Sequence, residues 1–197
     1  EQQAWMYWEG FDPTPTRLAA AKAALDRAEA LAPNAPQVEL AQAWFLYYGE
    51  HDFAAALTAF RRAQRGLPND AQVWAASGFV ERRLGQFDAA VADFERARGL
   101  NPNDVNPAIN LAQTLSAQRR FTQANVVINA GLALDGNDPE LWHLKLFVLW
   151  SAGDLDAVDR QLATRPSDAA NVLADRAMQA LYRRNYTSAS DLFRRAA

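Results

Sequence analysis

The chain has 197 residues, half of them apolar and 22% charged, which excludes a disordered polypeptide. A formal charge of −3 excludes the broad basic face of a nucleic-acid binder. The absence of cysteine excludes disulfides and thiolate metal sites, and no apolar run approaches the ~20 residues that cross a bilayer.

In chain order, Ala4-Trp-Met-Tyr-Trp reads as the end of a first helix, in which Trp5, Met6, Tyr7 and Trp8 cannot all face one core. Thr14-Pro15 opens the next helix, with proline at the first helical position. From here a marker recurs: Leu18, Phe53, Phe87, Phe121, Leu155 and Tyr186, at spacings of 35, 34, 34, 34 and 31. Three residues after each marker stands a small one: Ala21, Ala56, Ala90, Ala124, Val158 and Ala189. Seven after stands a bulky one: Leu25, Phe60, Phe94, Ile128, Leu162 and Phe193. Ten after stands Ala28, Ala63, Ala97, Gly131 or, in the last copy, Ala196. Steps of three and four are the core stripe of an amphipathic helix, here called helix B. A period near 34 predicts stacked helical hairpins, because a single hairpin cannot bury its own apolar face.

Punctuation supports the pattern. Asp70, Asn106 ahead of Pro107, and Asp138 ahead of Pro139 read as N-caps. Gly85 and Gly153 fall at the turns from helix A to helix B, where a left-handed residue is often needed. His51, Arg119 and Arg184 take that place elsewhere, so those turns are differently built or mildly strained. Where helix B crosses helix A a small residue is expected, as Gly78 and Ala112 supply; Trp44, Leu146 and Met178 stand there in the other copies, which predicts splayed or register-shifted hairpins. Pro166 shortens the fifth helix B and predicts a kink near residues 163–168. Both chain ends read as cuts in a longer polypeptide, and Leu192 and Phe193 on the uncapped last helix predict homo-oligomers formed through the ends.

The third copy carries Trp74, Gly78, Gly85, Phe87, Ala90, Phe94, Ala97 and Pro102, and a closing Pro-Asn recurs at Pro33-Asn34, Pro68-Asn69 and Pro102-Asn103. These columns resemble the tetratricopeptide repeat along nearly the whole chain. The Gly/Ala-rich, Arg-rich wording, with Phe11-Asp-Pro-Thr-Pro-Thr-Arg-Leu and Tyr47-Tyr-Gly-Glu-His-Asp-Phe, is also similar to the repeat regions of bacterial signalling and regulatory proteins. The resemblance implies one all-α, right-handed superhelical solenoid of antiparallel hairpins. Its repeats run approximately over 1–34, 35–69, 70–103, 104–137, 138–165 and 166–197, the first and last incomplete.

The resemblance also implies that helix A lines a concave groove that binds peptides. The side chains expected there are Gln42, Phe45 and Tyr48; Ala76, Phe79, Arg82 and Arg83; Asn106, Asn110, Gln113 and Ser116; His143, Phe147 and Trp150; and Arg176, Gln179, Tyr182 and Arg183. Phe45, Tyr48, Phe79, Phe147 and Trp150 would take apolar side chains, Asn110 and Gln113 the peptide backbone, Arg82 or Arg83 an acid, with His143 beside them. Of the family's carboxylate clamp only Asn110 matches; Ala41, Gln72 and Ala76 occupy the positions of its cations.

Chemistry has little to work with. Glu140 and His143 form one Glu-x-x-His step, where a bundle metal site needs two and further acids. Asp154, Asp156 and Asp159 lack the closing acid and glycine of a calcium loop and read as helix-start charges. The expectation is a non-enzymatic interaction scaffold with a protein or peptide ligand, no cofactor, no metal, no nucleic acid and no membrane insertion. It would be cytoplasmic, or else periplasmic. The rivals are a self-association module, or the helical accessory region of a kinase, cyclase or glycosyltransferase.

Overall fold

A computed structural model describes residues 14–165 and 169–197. The aromatic run at residues 5–8, Phe11 and Pro166 lie outside the described residues. Among the described residues there are eleven α-helices, one π-helical turn and no strand. The chain divides into two compact units, Glu1–Thr114 and Leu115–Ala197.

The first unit contains α1 (Pro15–Leu31), α2 (Pro36–Phe45) with the π-turn Leu46–Glu50, α3 (Phe53–Gly66), α4 (Ala71–Arg83), α5 (Phe87–Leu100) and most of α6 (Asn106–Ala117). The second contains α7 (Phe121–Leu134), α8 (Pro139–Ala152), α9 (Leu155–Ala163), α10 (Ala170–Tyr182) and α11 (Tyr186–Ala196). Five of the six marker residues are the first residue of a helix, α3, α5, α7, α9 and α11. Within each unit, helices adjacent in sequence pack on one another: α1 to α5 in the first, α7 to α11 in the second. The α9 helix has nine residues where α3, α5 and α7 have fourteen.

Helix starts follow the capping chemistry. Thr14, Asp52, Asp70, Asp138, Asp154 and Asn185 each accept a backbone N–H from the first turn of their helix. Asn106 does not cap. It is already inside α6, and its backbone N–H and its Nδ2 both donate to Asp104 Oδ1, at 2.9 and 2.8 Å. The acid two residues upstream is the stronger acceptor and displaces the amide from the role.

Among the described residues, five A-to-B turns each pass through a left-handed residue: Gly85 and Gly153 at φ 74° and 78°, and His51, Arg119 and Arg184 at 57°, 59° and 60°. The three non-glycine residues adopt the glycine conformation at a cost of order 1–3 kcal/mol each. Four turns close identically, with the N–H after the left-handed residue donating five residues back: Gln86 to Glu81, Arg120 to Leu115, Asp154 to Leu149 and Asn185 to Ala180, at 2.8–3.0 Å. In the fifth, Asp52 N–H donates six residues back, to Leu46, across the π-turn. One residue is inserted there.

That insertion changes which residue meets helix B. In α4, Gly78 lies so close to α5 that an added Cβ would stand 2.9 Å from the Phe94 ring. In α2 the small residue at the crossing is Ala43, fully buried with Ala56, Ala59 and Phe60. Trp44, expected at the crossing, is turned half outward and packs edge-on to Phe60 at 5.0 Å between centroids. The hairpin is therefore register-shifted. At the C-terminal end the buried small residue is Ala177, and Met178 is 39% exposed. Ala177 stands nine residues ahead of Tyr186, the same offset that separates Gly78 from Phe87 and Ala112 from Phe121. Leu146 does occupy the crossing in α8, fully buried, and faces the smaller Leu162 in place of a phenylalanine. The columns three residues after the markers are buried throughout, while Phe193, seven after the last marker, is 40% exposed.

Candidate functional site

A groove of about 450 Å³ opens in the first unit, between α2, α4 and the start of α6. Leu40, Trp44 and Tyr48 form one wall, Ala75, Ala76 and Phe79 the floor, and Asn106, Pro107 and Asn110 the other wall, with Gln72 and Asp104 at the rim. The sequence builds this surface by spacing. Leu40, Trp44 and Tyr48 stand four apart on a face that adjoins the one carrying buried Ala43 and Tyr47, and Ala71, Ala75 and Phe79 repeat that spacing on α4. Small residues at 71, 75 and 76 leave the space that the rings enclose.

The aromatic side is rigidly assembled. Trp44 and Tyr48 stack at 5.1 Å with planes 11° apart, Tyr47 meets Tyr48 edge-on at 4.9 Å, and Phe79 meets Phe94 edge-on at 5.4 Å. Such pairs favour these geometries because a ring's positive edge meets a negative face. On the polar side, Asn110 Nδ2 donates to the Asn106 carbonyl at 2.9 Å, and Asn110 Oδ1 accepts from Arg82 Nη2 at 3.4 Å. Arg82 Nη1 donates to Gln113 Oε1 at 3.1 Å.

Tyr48, Phe79 and Asn110 are thus brought together, with Arg82 and Gln113 adjoining them. Phe45 is not in the groove: the inserted residue turns it into the core with Ala21 and Leu25, and Trp44 takes its place. Arg83 lies outside the groove lining; its Nε donates to the Tyr47 hydroxyl at 2.5 Å and its guanidinium sits over the Tyr47 and Phe53 rings. In the second unit, His143 is exposed and Phe147 is 49% exposed on α8. Trp150 is buried, donates from Nε1 to Gln179 Oε1 at 2.8 Å and stacks on Tyr182 at 5.5 Å. Asp156 and Asp159 pair with Arg183, and Asp154 caps α9. Among the described residues no group of three or more His, Cys, Asp or Glu is placed to hold a metal, and no helix is long and apolar enough to cross a membrane.

Two features had no place in the sequence reading. Trp44 belongs to the groove, and its signal was the interval from Pro33 to Phe53, twenty residues against nineteen from Pro68 to Phe87 and from Pro102 to Phe121. The other is a buried polar cluster between α3, α4 and α5. Arg61 pairs with Glu81 and with Asp93, the latter at 3.0 Å, and Gln64 donates to Ser77 Oγ at 2.9 Å and to Asp93 Oδ2 at 3.2 Å. Burial, and then the nearby Asp93 charge, push the Glu81 carboxyl up to about 7 against the opposing pull of Arg61. Asp93 is raised as well, again chiefly by burial.

The fold has counterparts. A sequence model of the tetratricopeptide repeat matches residues 82–146. Protein FlbA of Caulobacter vibrioides is 32% identical over 103 residues, which are 52% of this chain and 17% of FlbA. The structure of PilF from Pseudomonas aeruginosa superposes with a TM-score of 0.72 at 17% identity, over 97% of this chain and 86% of that one. The structure of YrrB, described as a tetratricopeptide protein with an unusual peptide-binding site, superposes with a TM-score of 0.64 at 18% identity, over 88% and 90%. At these identities the structural likeness is one of fold. The chain spans less than a fifth of its curated relative's length.

Proposed function

We propose that this array of tetratricopeptide repeats captures a peptide segment of a partner protein in the groove of its first unit. The segment's apolar side chains would pack against Trp44, Tyr48 and Phe79, and its backbone would meet the amides of Asn110 and Gln72. The observation that carries this is the groove itself, about 450 Å³ with three half-buried rings along one wall and the floor and amides on the other wall. Concave apolar surface with a few convergent polar groups is the usual form of a recognition site, and aromatic anchors dominate interface energetics. The reading is one of binding and not catalysis, within a larger bacterial signalling or regulatory protein acting in the cytoplasm; the stretch shared with FlbA, itself bacterial, supports the setting. The acidic charge balance favours protein over nucleic acid as the partner.

Selection of displayed random peptides on the purified chain, followed by titration of the recovered sequences, tests this. Trp44→Ala and Asn110→Ala should each weaken binding by more than ~1 kcal/mol. Phe79→Ala should do the same and lower the melting temperature as well, because its ring packs on Phe94. Peptides whose affinity ignores Trp44→Ala and Asn110→Ala would remove the groove from the function.

A further inference from the structure

Arg82 differs from Arg61 and Arg62, two other half-buried arginines of the first unit. Arg61 is paired with Glu81 and Asp93, and Arg62 with Glu39. Arg82 is as enclosed, with its guanidinium 5.7 and 5.8 Å from the centroids of the Phe79 and Phe94 rings. Yet it makes no ion pair among the described residues, and its two hydrogen bonds go to the neutral amide oxygens of Gln113 and Asn110. A guanidinium has five N–H donors in a flat fork, so most of its capacity is unused. Desolvation first, and then the charge of the adjacent Arg83, lower its pKa, opposed by Tyr47. A partly desolvated cation without a counter-charge costs free energy that an incoming carboxylate recovers. Two of these four neighbours, Phe79 and Asn110, line the groove.

We infer that the segment bound in the groove carries an Asp or Glu side chain that pairs with Arg82. It lies one or two residues from the apolar side chain seated on Phe79. This rests on the groove being the peptide site. The spacing follows from the 5.7 Å between ring centroid and guanidinium, against ~3.3 Å per residue of extended chain. Asp104, the one charged residue in the described lining, stands at the rim and repels a carboxylate placed there. The acid therefore has a single favoured register. A side-chain carboxylate is the source, because Ala41, Gln72 and Ala76 leave no further cation at the positions where a terminal carboxylate would need one.

The probes are the peptides recovered from the display selection, resynthesised with a blocked C-terminus, each with its Asp or Glu replaced by Asn or Gln. Against the parent chain the amide version should bind about tenfold more weakly at low salt. Against Arg82→Gln that difference should shrink below about twofold. Arg82→Lys keeps a point charge without the fork, so it should retain a preference for the acid at lower affinity; it also serves if Arg82→Gln folds poorly. Recovered peptides without an acid preference, or an acid preference unchanged in Arg82→Gln, would overturn this inference and leave the groove standing. Binding that requires a free C-terminal carboxylate would overturn the choice of side chain. Failure to recover any peptide sensitive to Trp44→Ala would overturn both.

Discussion

The hairpins α2/α3 and α4/α5 lie side by side in the first unit and solve one packing problem in two ways. In α4/α5, Gly78 lets Phe94 approach and Gly85 makes the turn without strain. In α2/α3, the closing hydrogen bond spans one residue more, Ala43 replaces glycine under Phe60, and His51 makes the turn at φ 57°. The second solution leaves Trp44 and Tyr48 stacked on the groove face, where the first leaves Ala75 and Phe79. The pair shows that a repeat protein can keep its core geometry while changing the side chains it presents on its groove face.

The largest expected effect tests whether residue 43 has truly replaced residue 44 at the crossing. Ala43→Leu and Gly78→Leu should each destabilise the chain by ~1–3 kcal/mol through overpacking, and Trp44→Leu should cost less. Equilibrium denaturation measures this, and an Ala43→Leu variant as stable as the parent would refute the shifted register. Next comes the polar cluster that joins the two hairpins. Glu81 has a folded-state pKa of about 7, above its ordinary 4.5. Its contribution is therefore complete below about pH 4.5 and is lost as pH rises through about 7, on the order of 2 kcal/mol. Stability measured from pH 5 to 8 should fall, and Glu81→Gln should flatten the fall; parallel curves for the two proteins would contradict this. The smallest effect is at the turns. His51→Gly should stabilise by ~1 kcal/mol by relieving a left-handed non-glycine residue, and Gly85→Ala should destabilise by a similar amount. Opposite signs in thermal melts would sharpen the comparison, and equal signs would undo it.

Most of the fold was legible because it rests on spacing. Ala56, Ala90 and Ala124 recur at one period and are fully buried, and the left-handed turns fall where Gly85 and Gly153 pointed. What was not legible depends on single-residue offsets. Phe45 and Phe79 look equivalent when counted from the ends of their repeats, yet one is core and the other groove, since a π-turn of five residues separates them in register. Met178 was placed at a crossing that Ala177 occupies, one residue away, at the regular nine-residue offset from Tyr186. Arg82 was legible as a candidate acid receptor but not as a cation lacking a counter-charge. That depends on Asn110 and Gln113, which are about thirty residues away along the chain. The Arg61 cluster joins three helices and has no local pattern at all.

The π-turn at Leu46–Glu50 has a consequence for how such a groove can change. With 3.6 residues per turn, one added residue rotates everything upstream by roughly 100° about the helix axis. That rotation withdraws Phe45 and presents Trp44 without altering either side chain. An insertion or deletion in this turn is therefore a coarse dial on which side chains face the groove. It can move in a single genetic step, while the alanines and phenylalanines of the stripe stay as they are.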